Sequence, residues 1–124
     1  MGQLQTKRAY EDIETSDGKR VLVDRMWPRG VKKEKLQLSL WEKEVAPTNE
    51  LRKTFGHDPQ KFSWFKNEYK KELDNNDKTQ AFVNQIAEWL KKDNVTLIYG
   101  AKDKKENQAV VLKDYLLQKI GDHQ

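Results

Sequence analysis

The stretch VTLIYGAKD, residues 95–103, decides the class of fold. Its first five residues are β-branched or apolar and predict a buried strand, and Gly100 predicts where that strand ends. The run RVLVD at residues 20–24 has the same character, and the turn residues Pro28 and Gly30 follow it closely. Residues 3–9 are a weaker candidate strand, and residues 38–45 are either a strand or a short amphipathic segment.

Helical patterns lie between the two strong strands and after the last one. A short helix is predicted at residues 50–55, behind a cap at Thr48 or Asn49. Asp58 followed by Pro59 predicts the start of the next helix. Apolar residues at helical spacing mark three longer helices: Phe62, Phe65, Tyr69 and Leu73 in the first, Phe82, Ile86, Trp89 and Leu90 in the second, and Ala109, Leu112, Leu116 and Ile120 in the third.

Strands separated by helices predict an α/β fold, a single compact layered domain with a mainly parallel sheet flanked by helices. The domain is expected to span residues 1–124, with an ordered core from about residue 3 to residue 120. A doubly wound strand order is the expected topology. The polar residues 11–19, with their Asp-Gly turn, are expected to form a loop or a hairpin connection. An all-α fold would follow only if both strong strands were misassigned.

The composition excludes several classes of chemistry. The 124 residues are 35% hydrophobic and 35% charged and include no cysteine, which excludes disulfides, thiolate nucleophiles and cysteine-ligated metal centres. The two histidines, His57 and His123 in the C-terminal tail, are too few for a histidine-rich metal centre, and no metal site is predicted. No stretch approaches the roughly 20 apolar residues of a membrane span, and no signal peptide is recognisable. We therefore expect a soluble cytoplasmic protein.

Basic residues exceed acidic ones by 24 to 20, which gives a formal charge of +4. Most lysines alternate with acidic residues, as on solvated helix faces that need no partner. The arginines are more informative, because guanidinium groups suit bidentate contacts with phosphate or carboxylate. Four of the five lie in the first quarter of the chain, and the full set is Arg8, Arg20, Arg25, Arg29 and Arg52.

The candidate site follows from the rule that ligands bind beyond the carboxyl ends of parallel strands. The candidates there are Asp24, Arg25, Trp27, Arg29 and Gly30 after one strand, and Lys102, Asp103 and the helix cap Asn107 after the other. Because the N-terminus of the last helix also favours an anion, this combination suits a phosphate, a carboxylate or a nucleotide. An anionic small molecule is therefore the expected partner, and the sequence indicates no particular cofactor.

These residues have both catalytic and structural explanations. In an enzyme, Asp24 or Asp103 would act as acid or base while the arginines and lysine hold the anion, and His57 is a second candidate because imidazole titrates near neutral pH. In a structural role, Asp24 would form an ion pair with its neighbour or cap a turn, Trp27 would pack, and the charged loop around Asp103 would be solvated. Asp58 is expected to cap a helix, which would leave His57 on the surface.

Several familiar motifs are missing from the sequence. The six glycines are too widely spaced for a dinucleotide-binding fingerprint or a P-loop. The serines form no nucleophile elbow, and the signature of a zinc deaminase is absent. Cofactor or nucleoside-triphosphate binding through a glycine-rich loop is therefore not expected.

Four segments, in order along the chain, resemble the YeaO-like family of small bacterial proteins of unknown function: RVLVDRMWPRGVKKEK (20–35), LWEKEVAP (40–47), ELRKTFGHDPQKFSWF (50–65) and VTLIYGAKD with NQAVVL (95–112). The resemblance extends from residue 6 to about residue 117. It implies a compact bacterial cytosolic α/β protein, and it implies no reaction. The signature positions it marks are Asp24, Arg25, Trp27, Pro28, Arg29, Gly30, Gly56, His57, Asp58, Lys102 and Asp103.

The chain departs from similar proteins at two places. Those proteins often have a histidine before the asparagine that follows the last strand, where this chain has Glu106. A broader set of related domains has a cysteine at the position of Gly100 or Ala101, so no thiol chemistry is carried over. Some relatives are described as methyltransferases, an activity that the missing glycine-rich loop argues against here.

Three functions are compatible with these features. The first is a domain that binds a small anionic ligand, with acid–base catalysis as its enzymatic extension. The second is a nucleic-acid-binding module that uses Trp27 or Trp64 for stacking, and it is less favoured because acidic residues interleave with the basic ones. The third is a non-catalytic structural or adaptor protein. The sequence does not indicate an oligomeric state.

Overall fold

The computed structural model describes residues 2–121, and in this part of the chain four strands and five α-helices form an α/β fold, which confirms the predicted class. In chain order the elements are β1 (Leu4–Arg8), β2 (Lys19–Leu22), α1 (Lys33–Leu36), β3 (Leu40–Trp41), α2 (Asn49–Phe55), α3 (Phe62–Asp74), α4 (Thr79–Leu90), β4 (Val95–Tyr99) and α5 (Gln108–Gly121). Short 3-10 turns occupy Thr15–Asp17 and Pro59–Lys61. His123, which the sequence placed in a C-terminal tail, lies outside the described residues.

The four strands form one parallel sheet in the order β1-β4-β2-β3. All five residues of β4 are buried, as expected for a strand that has a neighbour on each side. Leu97 of β4 pairs with Thr6 on one side and with Val21 on the other. Since β1 and β2 are not neighbours, the alternative of a hairpin at residues 11–19 is wrong, and this segment is a loop that contains a 3-10 turn and ends at the first residue of β2.

The two faces of the sheet are covered unequally. Val21 and Leu97 point into the main core, to which helices α2, α3, α4 and α5 all contribute. Leu22 and Ile98 point to the opposite face and pack in a smaller cluster with Leu36 of α1. The expected doubly wound arrangement is therefore only partial, because one face carries a layer of four helices and the other carries a single short helix and irregular chain.

The helix boundaries follow the predicted capping residues. The hydroxyl of Thr48 accepts a hydrogen bond from the first turn of α2, and Gly56 ends this helix with a left-handed φ of 54°. Asp58 caps the 3-10 turn that precedes α3, so α3 itself begins three residues later than the Asp-Pro signal implies. Asn107 accepts a hydrogen bond from the first turn of α5. No helix within residues 2–121 is long and apolar enough to cross a membrane.

The pairing of β2 with β4 positions the candidate site. Leu22 pairs with Ile98, and the backbone N–H of Val23 donates to the carbonyl of Ile98 at 3.0 Å, so the two strands end side by side. The next residues along each strand therefore meet, and the backbone N–H of Gly100 donates to Asp24 Oδ2 at 2.8 Å. Two segments that are far apart in the sequence are joined at this edge of the sheet.

Candidate functional site

A cleft of about 610 Å³ opens at the carboxyl ends of β2 and β4, and we call it the strand-end cleft. Its floor consists of three partly buried residues, Asp24, Gly100 and Gln108. Three exposed basic residues also line it, and we call them the rim cations: Arg29, Arg52 and Lys53. The cleft lies where the strand-end rule predicts a ligand site.

Asp24 is held at the floor by neutral donors. Its Oδ2 accepts from the backbone N–H of Gly100 at 2.8 Å, and its Oδ1 accepts from the side-chain amide of Gln108. Within residues 2–121, no basic side chain lies at ion-pair distance from this carboxylate. Burial raises the pKa of Asp24, and the two hydrogen bonds and the nearby charges of Arg52 and His57 offset that effect only in part.

Arg25 ties the end of β2 to the segment before α2. Its Nε donates to the carbonyl of Pro47 at 2.8 Å, and its Nη2 donates to the carbonyl of Ala46 at 3.1 Å. The ion pair between Arg25 and Asp24 that the sequence left open does not form among the described residues. Arg25 still lines the cleft, but two of its five N–H donors are used inside the protein.

Trp27 forms a fixed wall of the cleft. Its indole N–H donates to the carbonyl of Val31 at 2.6 Å, and its ring meets Trp41 edge-on with centroids 5.3 Å apart. Gly30 does not line the cleft and instead shapes the turn, since its φ of 77° is a left-handed conformation that glycine adopts without strain. Trp27 therefore packs as its structural explanation predicted, and one side of its ring borders the cleft.

Arg29 lies on the exposed side of the same turn. The phenol of Tyr10 donates to the backbone carbonyl of Arg29 at 3.1 Å, which joins the loop after β1 to the loop after β2. Arg29 lines the cleft, and its guanidinium forms no ion pair in the described part of the chain. Of the predicted arginines, Arg29 thus retains the larger share of its donors for a ligand.

His57 is a surface residue whose ring borders the cleft. It has a φ of 57°, directly after Gly56, and its ring lies 5.9 Å from that of Phe55. The carboxylate of Asp58 accepts from the backbone N–H of Gln60 at 3.0 Å. The carboxylate beside His57 is therefore used as a cap, as the sequence predicted, and the imidazole is exposed.

Besides Gly30, three predicted residues do not line the cleft: Lys102, Asp103 and Asn107. Asp103 is exposed and accepts from the backbone N–H groups of Lys105 at 2.8 Å and Glu106 at 3.0 Å, and these two bonds lower the pKa of Asp103. Asn107 is buried, donates to the carbonyl of Asp103 and caps α5. The side chains of Asp103 and Asn107 therefore stabilise the loop and the helix start. No cluster of three or more metal-ligating side chains occurs within residues 2–121.

The lining residues that were not predicted include Tyr10, Arg52, Lys53 and Gln108. Arg52 and Lys53 come from α2, and Gln108 is the first residue of α5. One signal for Arg52 was present, because it is the one arginine outside the first quarter of the chain. Its proximity to Asp24 depends on how α2 packs, which no local pattern specifies.

The cleft is more basic than the chain as a whole. Its lining includes four cations (Arg25, Arg29, Arg52, Lys53) against one carboxylate (Asp24), whereas the chain has 24 basic and 20 acidic residues. Throughout residues 2–121, no acidic side chain forms an ion pair with a rim cation, although Arg52 donates to the neutral amide of Asn49 at 3.0 Å. Such a concentration of one sign of charge in a concave site attracts anions.

Comparisons with known proteins identify the family. The model of a family described as the inactive DUF488-N3 subclade matches residues 3–124. The chain is 42% identical over 113 residues to the Uncharacterized protein YeaO of Escherichia coli (strain K12), covering 91% of this chain and 96% of that protein. It is 45% identical over 71 residues to the Uncharacterized protein Rv3073c of Mycobacterium tuberculosis, covering 57% of this chain and 60% of that protein. No solved structure matches the chain significantly. The chain therefore belongs to DUF488-N3i, the inactive DUF488-N3 subclade, and its resemblance to YeaO-like proteins is confirmed.

Proposed function

We propose that this protein binds a small organic anion, a phosphate or carboxylate compound, in the strand-end cleft. The observation that carries the proposal is the set of rim cations, which are exposed and have no acidic partner within residues 2–121. Guanidinium and ammonium groups arranged around one concave site bind such anions through charge-assisted hydrogen bonds. The volume of about 610 Å³ is that of a small-molecule site.

Binding is better supported than catalysis. The acid–base interpretation relied on Asp24 together with Asp103, and Asp103 does not line the cleft. Each oxygen of Asp24 already accepts a hydrogen bond from the protein, which holds the carboxylate in place. The matching family is also described as inactive. A binding domain without a reaction of its own agrees with all three facts.

The test is thermal unfolding and calorimetric titration of the wild type with inorganic phosphate, pyrophosphate, ribose 5-phosphate and citrate at low salt. A ligand present at one hundred times its Kd stabilises the folded state by about 2.7 kcal/mol, which raises Tm by roughly 10 °C at this chain length. Arg52→Ala should weaken binding about tenfold or more, because it removes a charge-assisted contact. Binding should also weaken as salt screens the rim cations.

A matched control separates the site from general charge. Lys53→Ala and Lys92→Ala each remove one exposed lysine, but Lys92 follows α4 and does not line the cleft. The proposal expects only Lys53→Ala to weaken the anion. If both variants weakened binding equally, the weakening would come from the change in net charge and not from the cleft. If no anion in the panel bound the wild type, the proposed function would be wrong.

A further inference from the structure

Two aspartates flank β2 in very different surroundings. Asp17 is 3% exposed and accepts hydrogen bonds from two cations, Lys7 at 2.7 Å and Arg20 at 2.5 Å, and from the backbone N–H of Glu14 at 3.0 Å. Paired cations and a third donor compensate a buried carboxylate well. Asp24 has no such compensation, because its partners in the protein are two neutral donors.

Asp24 retains acceptor capacity in the strand-end cleft. A carboxylate has about four lone-pair sites, and Gly100 and Gln108 occupy one on each oxygen. Within residues 2–121, no donor occupies the remaining sites of this partly buried group. Because Asp24 lines the cleft, a ligand bound there can reach them. A ligand with N–H donors would satisfy them with hydrogen bonds to a charged acceptor, which are stronger than those between neutral groups.

The rim cations indicate which chemical group the ligand carries at its other end. Arg52 lies near enough to Asp24 for its charge to act on that carboxyl, so the anion site and the carboxylate belong to one cleft. Like charges repel, so the negative group of a ligand is directed to the rim cations and away from Asp24. A ligand that satisfies both ends carries an anionic group at one end and N–H donors at the other.

Aromatic residues in the cleft lining indicate what kind of group joins the two ends of the ligand. Tyr10 and Trp27 line the cleft from the loops after β1 and β2, and Phe55 and His57 line it from the end of α2 and just beyond. Such rings favour a planar group that can stack on them. The volume of about 610 Å³ equals that of about 20 water molecules. A bare phosphate would leave most of it to solvent.

We propose that the ligand is an organic phosphate that carries a planar nitrogen ring with N–H donors, the chemistry of a nucleotide with an amino-bearing base. Its phosphate lies at the rim cations, and the N–H groups of its ring donate to Asp24. This inference rests on the proposed function, because it assigns the other end of the same ligand.

The experiment is calorimetric titration of the full chain with ribose 5-phosphate, AMP, CMP and GMP, and with purine riboside 5′-monophosphate, which is AMP without its amino group. At least one of the three nucleotides should bind about tenfold or more tightly than ribose 5-phosphate. Asp24→Asn should abolish this preference without weakening the binding of ribose 5-phosphate, because the substitution removes a negative charge from the cleft. Asp114→Asn makes the same chemical change on the exposed side of α5 and should leave both affinities unchanged.

The outcomes separate this inference from the proposed function. If ribose 5-phosphate binds but no nucleotide binds more tightly, or if Asp24→Asn keeps the preference, the nucleotide assignment is wrong while anion binding stands. If neither ribose 5-phosphate nor any nucleotide binds, the nucleotide assignment fails, and the proposed function fails with it when inorganic phosphate, pyrophosphate and citrate do not bind either. Should Asp24→Asn not fold, the wild type still decides for AMP, because loss of the amino group must then remove the preference for AMP over ribose 5-phosphate.

Discussion

The substitutions Asp24→Asn and Asp17→Asn should change the stability of the ligand-free protein in opposite directions. The substitution keeps the size of the side chain and removes its charge, so each variant reports whether the folded state favours or disfavours that charge. Asp17 lies among cations, whereas Asp24 has neutral partners. The comparison therefore isolates the electrostatic surroundings of the two carboxylates.

Asp24→Asn is expected to stabilise the protein. The amide oxygen of asparagine can still accept from the N–H of Gly100, and the amide of Gln108 can turn to offer its oxygen to the new NH₂ group. No ion pair within residues 2–121 is lost, and the cost of keeping a charge in a partly buried place disappears. We expect the free energy of unfolding to rise by about 0.5–1 kcal/mol and Tm to rise by about 2–5 °C.

Asp17→Asn is expected to destabilise the protein strongly. Arg20 is itself 3% exposed, and even in the wild type its Nη2 has no hydrogen-bond partner within residues 2–121. Removing the carboxylate leaves this guanidinium without a counterion, and it leaves the ammonium of Lys7 with only the exposed carboxylate of Glu14. Breaking a buried pair in this way costs about 3–5 kcal/mol, which lowers Tm by roughly 10 °C or more.

The assay is urea unfolding followed by circular dichroism at pH 7, analysed by linear extrapolation. Asp114→Asn serves as the reference for removing an exposed carboxylate, and its stability should stay within about 0.5 kcal/mol of the wild type. A loss of stability in Asp24→Asn comparable to that in Asp17→Asn would refute the reasoning. It would mean that the hydrogen bonds of Asp24 stabilise the fold more than its buried charge opposes it.

The pH dependence of the two differences provides a second check. Burial raises the pKa of Asp24, so its charge costs stability above the folded-state pKa, and the advantage of Asp24→Asn should disappear as pH falls to the ordinary value of 3.8. Burial also acts to raise the pKa of Asp17, but its bonds from Lys7, Glu14 and Arg20 outweigh burial and lower that pKa. The charge of Asp17 therefore contributes its full stabilisation above pH 3.8, the ordinary pKa of an aspartate. The stability that Asp17→Asn loses relative to the wild type should shrink only below that pH.

Two further predictions concern the fold. Gly18 has a φ of 63°, and a Cβ there would lie 2.0 Å from the carbonyl oxygen of Asn94, so Gly18→Ala should cost more than about 3 kcal/mol. Gly30 has a φ of 77° with no atom within 4 Å of such a Cβ, so Gly30→Ala should lower the free energy of unfolding by only about 1 kcal/mol. If urea unfolding showed equal losses of stability for the two variants, the steric explanation would be wrong. The phenol of Tyr69 donates to the buried carbonyl of Val45 at 2.6 Å, so Tyr69→Phe should lose about 1–2 kcal/mol, and an unchanged Tm would rule this out.

The elements that could be predicted are those with strong local signals. The apolar runs predicted β2 and β4, and the capping residues predicted both ends of α2. β3 is only two residues long, Leu40–Trp41, and exists because it pairs with β2, so residues 38–45 carry too weak a pattern to define it. The unequal covering of the sheet likewise depends on long-range packing, since all four larger helices join one core.

The site was predicted only where the backbone alone determines it. Parallel strands that end side by side bring Asp24 to Gly100, and that follows from the strand assignments. The contribution of α2 does not follow from them, because Arg52 reaches the cleft through helix packing. Asp103 and Asn107 lie outside the cleft lining for a different reason. Short polar side chains near a helix start tend to bond to the local backbone, and both do so here.

The packing of the fold gives no reason for a carboxylate at position 24. Gly100 and Gln108 would be satisfied equally well by asparagine, and no basic side chain within residues 2–121 lies at ion-pair distance from Asp24. The packing does give a reason for a carboxylate at position 17, because Asp17 forms ion pairs with two cations, Lys7 and Arg20. A charge that opposes stability and borders a basic cleft is the kind of local conflict expected at a functional position. If Asp24→Asn proves more stable and loses the nucleotide preference, the same atoms account for both results, because the ligand supplies the donors that the protein does not.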